Sequence, residues 1–259
     1  MLEVENLSKS FGGVVAMKGV TLDFPKSSLT AVIGPNGAGK TTFFNLVSGH
    51  IKADAGTVRL DGENVMGLPA LEIVRRGMCR AFQVASIFPH MTLEESLTAA
   101  VSSHRSESFS LFRRSPLPQA RARAGEIMEL LGLQHRARSM SRNLSHGEQK
   151  LLDIALALAL EPKVLLMDEP TAGMGAEERW QMIEKVHDLW KATDLTVIFI
   201  EHDMDIVFKI AQSISVLKYG QVLARGTADQ IRRNQEVIDA YLGEDHSAPA
   251  EDADREGRA

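Results

Sequence analysis

The sequence predicts an α/β fold on a mostly parallel sheet, and three observations carry that prediction. A wholly apolar run, Leu29 to Ile33, enters a glycine-rich turn and then a helix-periodic stretch from Lys40 to Ser48. A second apolar run, Val164 to Met167, ends in the acids Asp168 and Glu169. Further short apolar runs alternate with helix-periodic segments, which is the pattern a sheet buried on both faces requires.

Element by element, Leu2, Val4 and Asn6-Leu7 read as an opening strand, and Val20 to Phe24 as a second. Strands follow at Thr57 to Leu60, Met78 to Phe82, Val164 to Met167, Thr196 to Ile200, Ser213 to Leu217 and Val222 to Ala224. Between about Ala85 and Leu160 the pattern changes to helix at Leu93 to Val101, Gln119 to Leu131 and Gly147 to Leu160. That block is expected to be a helical subdomain inserted into the α/β core. The Ser-, Arg- and Pro-rich stretch over 102–118 reads as an exposed loop, and the acidic, Ala-rich stretch over 244–259 as a disordered tail.

Composition narrows the function classes. Of 259 residues, 44% are hydrophobic and 24% charged, near the averages for a folded globular protein. The net charge of -5 argues against a broad nucleic-acid surface, although Arg113, Arg114, Arg121 and Arg123 cluster locally. The longest strongly apolar stretch, Leu151 to Leu160, contains Asp153 and falls short of the roughly 20 residues of a membrane span. The N-terminus has neither the basic start nor the apolar core of an export signal, so the cytoplasmic side is expected. The single cysteine, Cys79, excludes an internal disulfide and reads as a small core residue.

Chemistry concentrates in three places. Gly34-Pro35-Asn36-Gly37-Ala38-Gly39-Lys40-Thr41-Thr42 fits the phosphate-loop pattern between a strand and a helix. Its glycines let backbone N–H groups curl around a β-phosphate, and the helix N-terminus adds its positive end. Lys40 can reach β- and γ-phosphate oxygens, and the Thr41 hydroxyl can ligate Mg²⁺. At the carboxyl end of the second apolar strand, Asp168 is expected in the Mg²⁺ shell and Glu169 as the group that polarises the attacking water. The third, Leu144-Ser145-His146-Gly147-Glu148-Gln149, has Ser145 as N-cap, Glu148 completing a capping box and Gly147 open to close backbone approach.

With these three motifs in this order, the sequence resembles the ABC ATPases over nearly its whole length to about Gly243. Their signature reads LSGGQ; here His146 replaces its first glycine. The resemblance implies a P-loop NTPase core with a mostly parallel sheet, an antiparallel N-terminal β part and the inserted helices, residues 1–243 forming one ATPase domain. It implies ATP and Mg²⁺ as cofactors, with Ser145 and Gly147 closing on the γ-phosphate held by a second ATPase chain. It also implies Gln83 as the Q-loop glutamine beside Mg²⁺ and water, His202 as the switch histidine and Phe11 as the aromatic that stacks on adenine. The alternative for Phe11 is a core aromatic. Gly175 stands where most of the family has the D-loop aspartate, which bears on coupling between sites.

Four segments, Arg76 to Gln83, Ala172 to Met174, Glu201 to Met204 and Ala240 to Gly243, are similar to the branched-chain amino-acid importers and their urea and amide relatives. That branch implies a non-identical sister ATPase, two transmembrane permeases, an extracytoplasmic solute-binding protein and a peripheral place on the cytoplasmic face of the inner membrane. The apolar residues Val84, Ala85, Ile87, Phe88, Pro89 and Met91 read either as a groove surface that takes a helix of a membrane partner or as a short buried link between subdomains. A soluble ABC-type ATPase, such as a cluster-assembly factor, is the alternative from another class. A degenerate module that binds ATP without cleaving it is disfavoured, because Lys40, Asp168, Glu169 and His202 are all present.

Overall fold

A computed structural model describes residues 1–81, 88–104 and 118–242. Two sheets organise them. β1 (Leu2–Phe11), β2 (Val14–Phe24), β4 (Ala55–Leu60) and β5 (Glu63–Asn64) form an antiparallel sheet in the order β2-β1-β4-β5. β3 (Leu29–Ile33), β6 (Met78–Ala81), β7 (Val164–Asp168), β8 (Thr196–Ile200), β9 (Ser213–Lys218) and β10 (Gln221–Gly226) form the second, ordered β10-β9-β3-β8-β7-β6. Every pairing in it is parallel except that of β9 with β10.

The central strands are apolar along their length because both faces are covered. Leu165, Met167, Val197 and Phe199 face one core, while Leu166, Ile198 and Ile200 face the other. This second core lies beneath α1 (Lys40–Val47) and the antiparallel sheet, and it is filled by Phe24, Phe43 and Phe44 with ring centroids 6.2 and 6.3 Å apart. The first core receives α3 (Leu93–His104), α4 (Pro118–Leu130), α5 (His146–Leu158), α6 (Ala176–Ala192) and α7 (Met204–Ile210). α2 (Ala70–Arg75), α8 (Ala228–Arg232) and α9 (Gln235–Leu242) complete the helices of the described residues.

Several elements differ from the sequence reading. β1 runs to Phe11 and β2 begins at Val14, because a ribbon pairing through Phe11↔Val14 continues past the apolar residues that mark its start. α2, β5, α6, α7, α8 and α9 had no assignment in the sequence; α6 is long but polar on most of its surface, burying only Met182, Ile183, Val186 and Leu189. Cys79 lies in the core at 2% exposure, and burial pushes its thiol up to about 12. Arg121 and Arg123 lie on α4 and pair with Glu94 and Glu126; Arg113 and Arg114 lie outside the described residues, as do 105–117 and 243–259.

Two glycines in the turn after β3 answer different demands. Gly34 has φ +150°, and a Cβ there would stand 2.1 Å from the Leu217 carbonyl oxygen at the end of β9. Gly37 has φ +73° with open space around it. Gly34→Ala therefore combines backbone strain with a clash against backbone and is expected to destabilise by about 3 kcal/mol or more. Gly37→Ala meets only the left-handed strain, about 1 kcal/mol. Urea unfolding of the two variants should rank them in that order, and equal midpoints would contradict this account of the turn.

Candidate functional site

β3, β8 and β7 are neighbours and parallel, with Val32 opposite Ile200 and Ile200 opposite Asp168. Their carboxyl ends therefore finish along one edge, the place where open α/β sheets bind ligands. Strand spacing puts the ends of β3 and β7 about 10 Å apart. From this edge leave the turn 34–39, the pair Asp168-Glu169 and the pair Glu201-His202.

The turn is shaped around Lys40. Its ammonium donates to the carbonyls of Gly34 at 2.6 Å and Pro35 at 2.9 Å, and only 7% of the residue is exposed. Asn36 and Gly37 form the exposed crown, while Ala38 accepts from Gly220 N at 3.0 Å and so leans on the β9–β10 turn. Gly39, at φ +101°, is the N-cap of α1; it supplies no side-chain acceptor, and no acid stands in the first turn. The leading N–H groups of α1 thus have no capping side chain, and an anion is their natural acceptor. Thr41 is exposed and Thr42 partly so, immediately beyond Lys40.

On the acidic side, the Asp168 carboxylate is buried and accepts from Arg80 at 2.7 Å. Glu169 adopts φ +50°, its N–H donating to Ile200 O at 3.0 Å, which turns the side chain out of the strand. Its Oε1 lies 2.9 Å from His202 Nε2. Because a carboxylate only accepts, that nitrogen carries the proton, and the imidazole orients the acid. One oxygen of Glu169 can accept from histidine while the other accepts from a water.

Two neighbours went unassigned by sequence reasoning. Glu201 is buried, and desolvation raises its pKa against the hydrogen bonds it accepts from Thr171 N (3.0 Å), Thr171 Oγ1 (2.7 Å) and His202 N (3.3 Å). It joins the segment after Glu169 to the segment carrying His202. Lys150, buried on α5, has its pKa lowered by burial, opposed by Asp153, Asp168, Glu169 and Glu201. The available signal was a charge at the border of an apolar run, Lys150 just before Leu151 and Glu201 just after Ile200.

The 145–147 segment begins α5 with the capping box its spacing predicts: Glu148 N donates to Ser145 Oγ at 3.2 Å and Ser145 N to Glu148 Oε2 at 2.8 Å. Gly147 N donates to Glu178 at 3.2 Å, and a Cβ on Gly147 would stand 2.4 Å from that carboxylate. His146 Nε2 meets Ala172 O at 3.1 Å. The segment is therefore strapped to the turn at Ala172 and to the first turn of α6 in its own chain. Gly175 caps α6 at φ −67° with open space where a side chain would stand. Phe11 is 45% exposed with Lys9 Nζ 5.4 Å from its ring centroid, which removes the core-aromatic alternative. Gln83 and residues 84–87 lie outside the described residues; Phe88 beyond them is exposed.

The donor set suits Mg²⁺: a threonine hydroxyl and a carboxylate are hard oxygen ligands. Among the described residues no three His, Cys, Asp or Glu side chains gather to hold a metal alone, so a Mg²⁺ here would need phosphate oxygens to complete its shell.

The family model described as ABC transporter matches residues 17–172, and that described as Branched-chain amino acid ATP-binding cassette transporter matches 221–247. BraF of Pseudomonas aeruginosa, a high-affinity branched-chain amino acid transport ATP-binding protein, is 39% identical over 94% of this chain and 98% of its own. LivG of Escherichia coli K12, of the same description, is 38% identical over the same shares. Among solved structures, a nucleotide-free ATP-binding cassette from an ABC transporter superimposes with a TM-score of 0.81 at 28% identity, covering 93% of this chain and 98% of that one. Another such cassette in its ADP conformation gives 0.81 at 29% identity over 94% and 98%. A glycine turn folded around a buried lysine, an acid hydrogen-bonded to a histidine and these matches over nearly the whole length lead to one assignment: the chain belongs to the ABC transporter family, as an ATP-binding cassette ATPase.

Proposed function

We propose that this chain is the ATPase subunit of an importer for branched-chain amino acids. The observation that carries the reading is the similarity to BraF and LivG along 94% of the chain. The match of residues 221–247 to the branched-chain family model adds to it. Residues 1–243 act as one ATPase domain, the helices between about 85 and 160 forming its inserted part. Among the described residues no helix is long and apolar enough to cross a membrane, so in this reading transport runs through separate permease subunits. The cassette sits peripherally on their cytoplasmic face, beside a second, non-identical ATPase, with a solute-binding protein on the far side.

In this mechanism Gly34, Asn36, Gly37, Ala38, Gly39 and Thr42 wrap the triphosphate in backbone and hydroxyl donors, Pro35, which has no N–H, shapes the turn between them, and Phe11 offers a ring to adenine. Lys40 exchanges its contacts with the Gly34 and Pro35 carbonyls for phosphate oxygens. Thr41, Asp168 and Gln83 would hold Mg²⁺, which would neutralise charge developing on the phosphates. Glu169, oriented by His202, accepts the proton of the attacking water. Ser145 and Gly147 complete the site of the opposite chain, where Gly147 N–H must leave Glu178 to meet a γ-phosphate.

Four measurements test this reading. Glu169→Gln should keep ATP binding and lose on the order of 10²- to 10⁴-fold in turnover, because an amide cannot take the proton; turnover within twofold of the parent removes the acid from that role. Lys40→Ala should weaken ATP binding itself, and an unchanged affinity would contradict the phosphate contact. Deleting the chain should abolish uptake of leucine, isoleucine and valine and leave urea uptake intact; the opposite pattern would assign the urea branch. Turnover should also rise when a sister ATPase and permeases are added, since holding two cassettes together raises their effective concentration.

A further inference from the structure

The segment Arg76 to Gln83 contains a cation that the chemistry above leaves without a task. Arg80 lies on β6, beside β7 through the pairs Arg80↔Leu166 and Ala81↔Met167. Its side chain is 7% exposed and that of Asp168 5%. One guanidinium nitrogen donates to Asp168 Oδ2 at 2.7 Å and another to Asn45 Oδ1 at 2.6 Å. The guanidinium also lies 5.7 Å from the centroid of the Phe44 ring. Asn45 and Phe44 belong to α1, and Asn45 stands four residues after Thr41, on the same face of the helix.

We propose that Arg80 is a positioning residue for Mg²⁺ coordination, fixing the Asp168 carboxylate and tying it to the face of α1 that carries Thr41. The proposal rests on the reading of Asp168 as a metal-side carboxylate. A carboxylate is broad about its last torsion, so a lone Asp168 would sample many orientations. A hydrogen bond to Oδ2 removes that freedom and leaves Oδ1 outside the ion pair. The donor must be planar and two-pronged, because Asp168 and Asn45 lie on different elements and are both reached within 2.7 Å. Lysine, a point charge with a flexible stem, cannot reproduce that fork. The buried cation also offsets the crowding of Asp168 with Glu169 and Glu201 before nucleotide arrives.

The test compares four full-length proteins, the parent, Arg80→Lys, Asn45→Ala and Asp168→Asn, by the ratio of mant-ATP dissociation constants in EDTA and in Mg²⁺. Half-saturating Mg²⁺ for turnover is read alongside. Groups that orient a metal ligand typically change metal affinity by about 10- to 100-fold when removed. Arg80→Lys is expected to leave the EDTA constant within about twofold and to reduce the Mg²⁺-dependent gain by about 10-fold. Asn45→Ala should move it in the same direction by less, since the ion pair itself survives. A residue serving stability alone would lower the melting temperature and shift both constants together, and that result overturns the proposal. So does an unchanged ratio in Arg80→Lys and Asn45→Ala while Asp168→Asn collapses it. If Asp168→Asn leaves the ratio untouched, the metal reading of Asp168 falls and takes the proposal with it. Should Arg80→Lys fail to fold, Asn45→Ala carries the test with the same criteria.

Discussion

Parallel pairing of β3, β8 and β7 is what the rest of the structure depends on. Because the register places Val32, Ile200 and Asp168 side by side, three loops distant in sequence leave the sheet at one edge. None of the three could meet a common ligand if one strand ran the other way. The register is in turn fixed by packing: each strand is apolar on both faces, and a slip of one residue would send Leu165, Met167 and Phe199 into the opposite core. Thus the chemistry at the edge is positioned by side chains that never touch a ligand.

That edge concentrates charge in a buried setting, where unpaired ions are costly. Asp168 is answered by the Arg80 guanidinium and Glu169 by a hydrogen bond with His202, while Glu201 accepts from Thr171 and from the His202 N–H and has its pKa raised by burial. Lys150 reaches into the same field from α5. Since α5 begins at Ser145 and the Thr171 segment is held both by Glu201 and, through Ala172, by His146, the signature helix and the acids share one network within a single chain. A change in the balance of charge at the edge therefore acts on groups already connected to the start of α5.

Much of this was legible in the sequence because the decisive signals are local. The bounds of β3 and β8 can be read directly, since strands buried on both faces show as unbroken apolar runs. The capping box at Ser145 and Glu148 and the glycine turn before Lys40 are written in short spacings. Solvated elements were harder: α6 hides four buried residues among charges, and the ribbon of β1 with β2 extends through exposed Val14 and Val15. The contacts of Arg80 with Asn45 and of Glu201 with Thr171 were illegible for another reason, being meetings across 35 and 30 residues that only the folded sheet brings about.

The interior position of the only cysteine has a practical side. Cys79 stands on β6, flanked by Met78 and Arg80, with 2% of its surface open and its thiol held protonated by burial up to about 12. Thiol reagents act on the thiolate, so the native chain offers them almost no target at neutral pH. A cysteine introduced at an exposed position, such as Tyr219 in the turn behind the phosphate loop, would be the one reactive thiol of the described residues. The wild-type background is therefore already suited to attaching a spin label or a fluorophore, and movements of the chain can be followed without first redesigning the core.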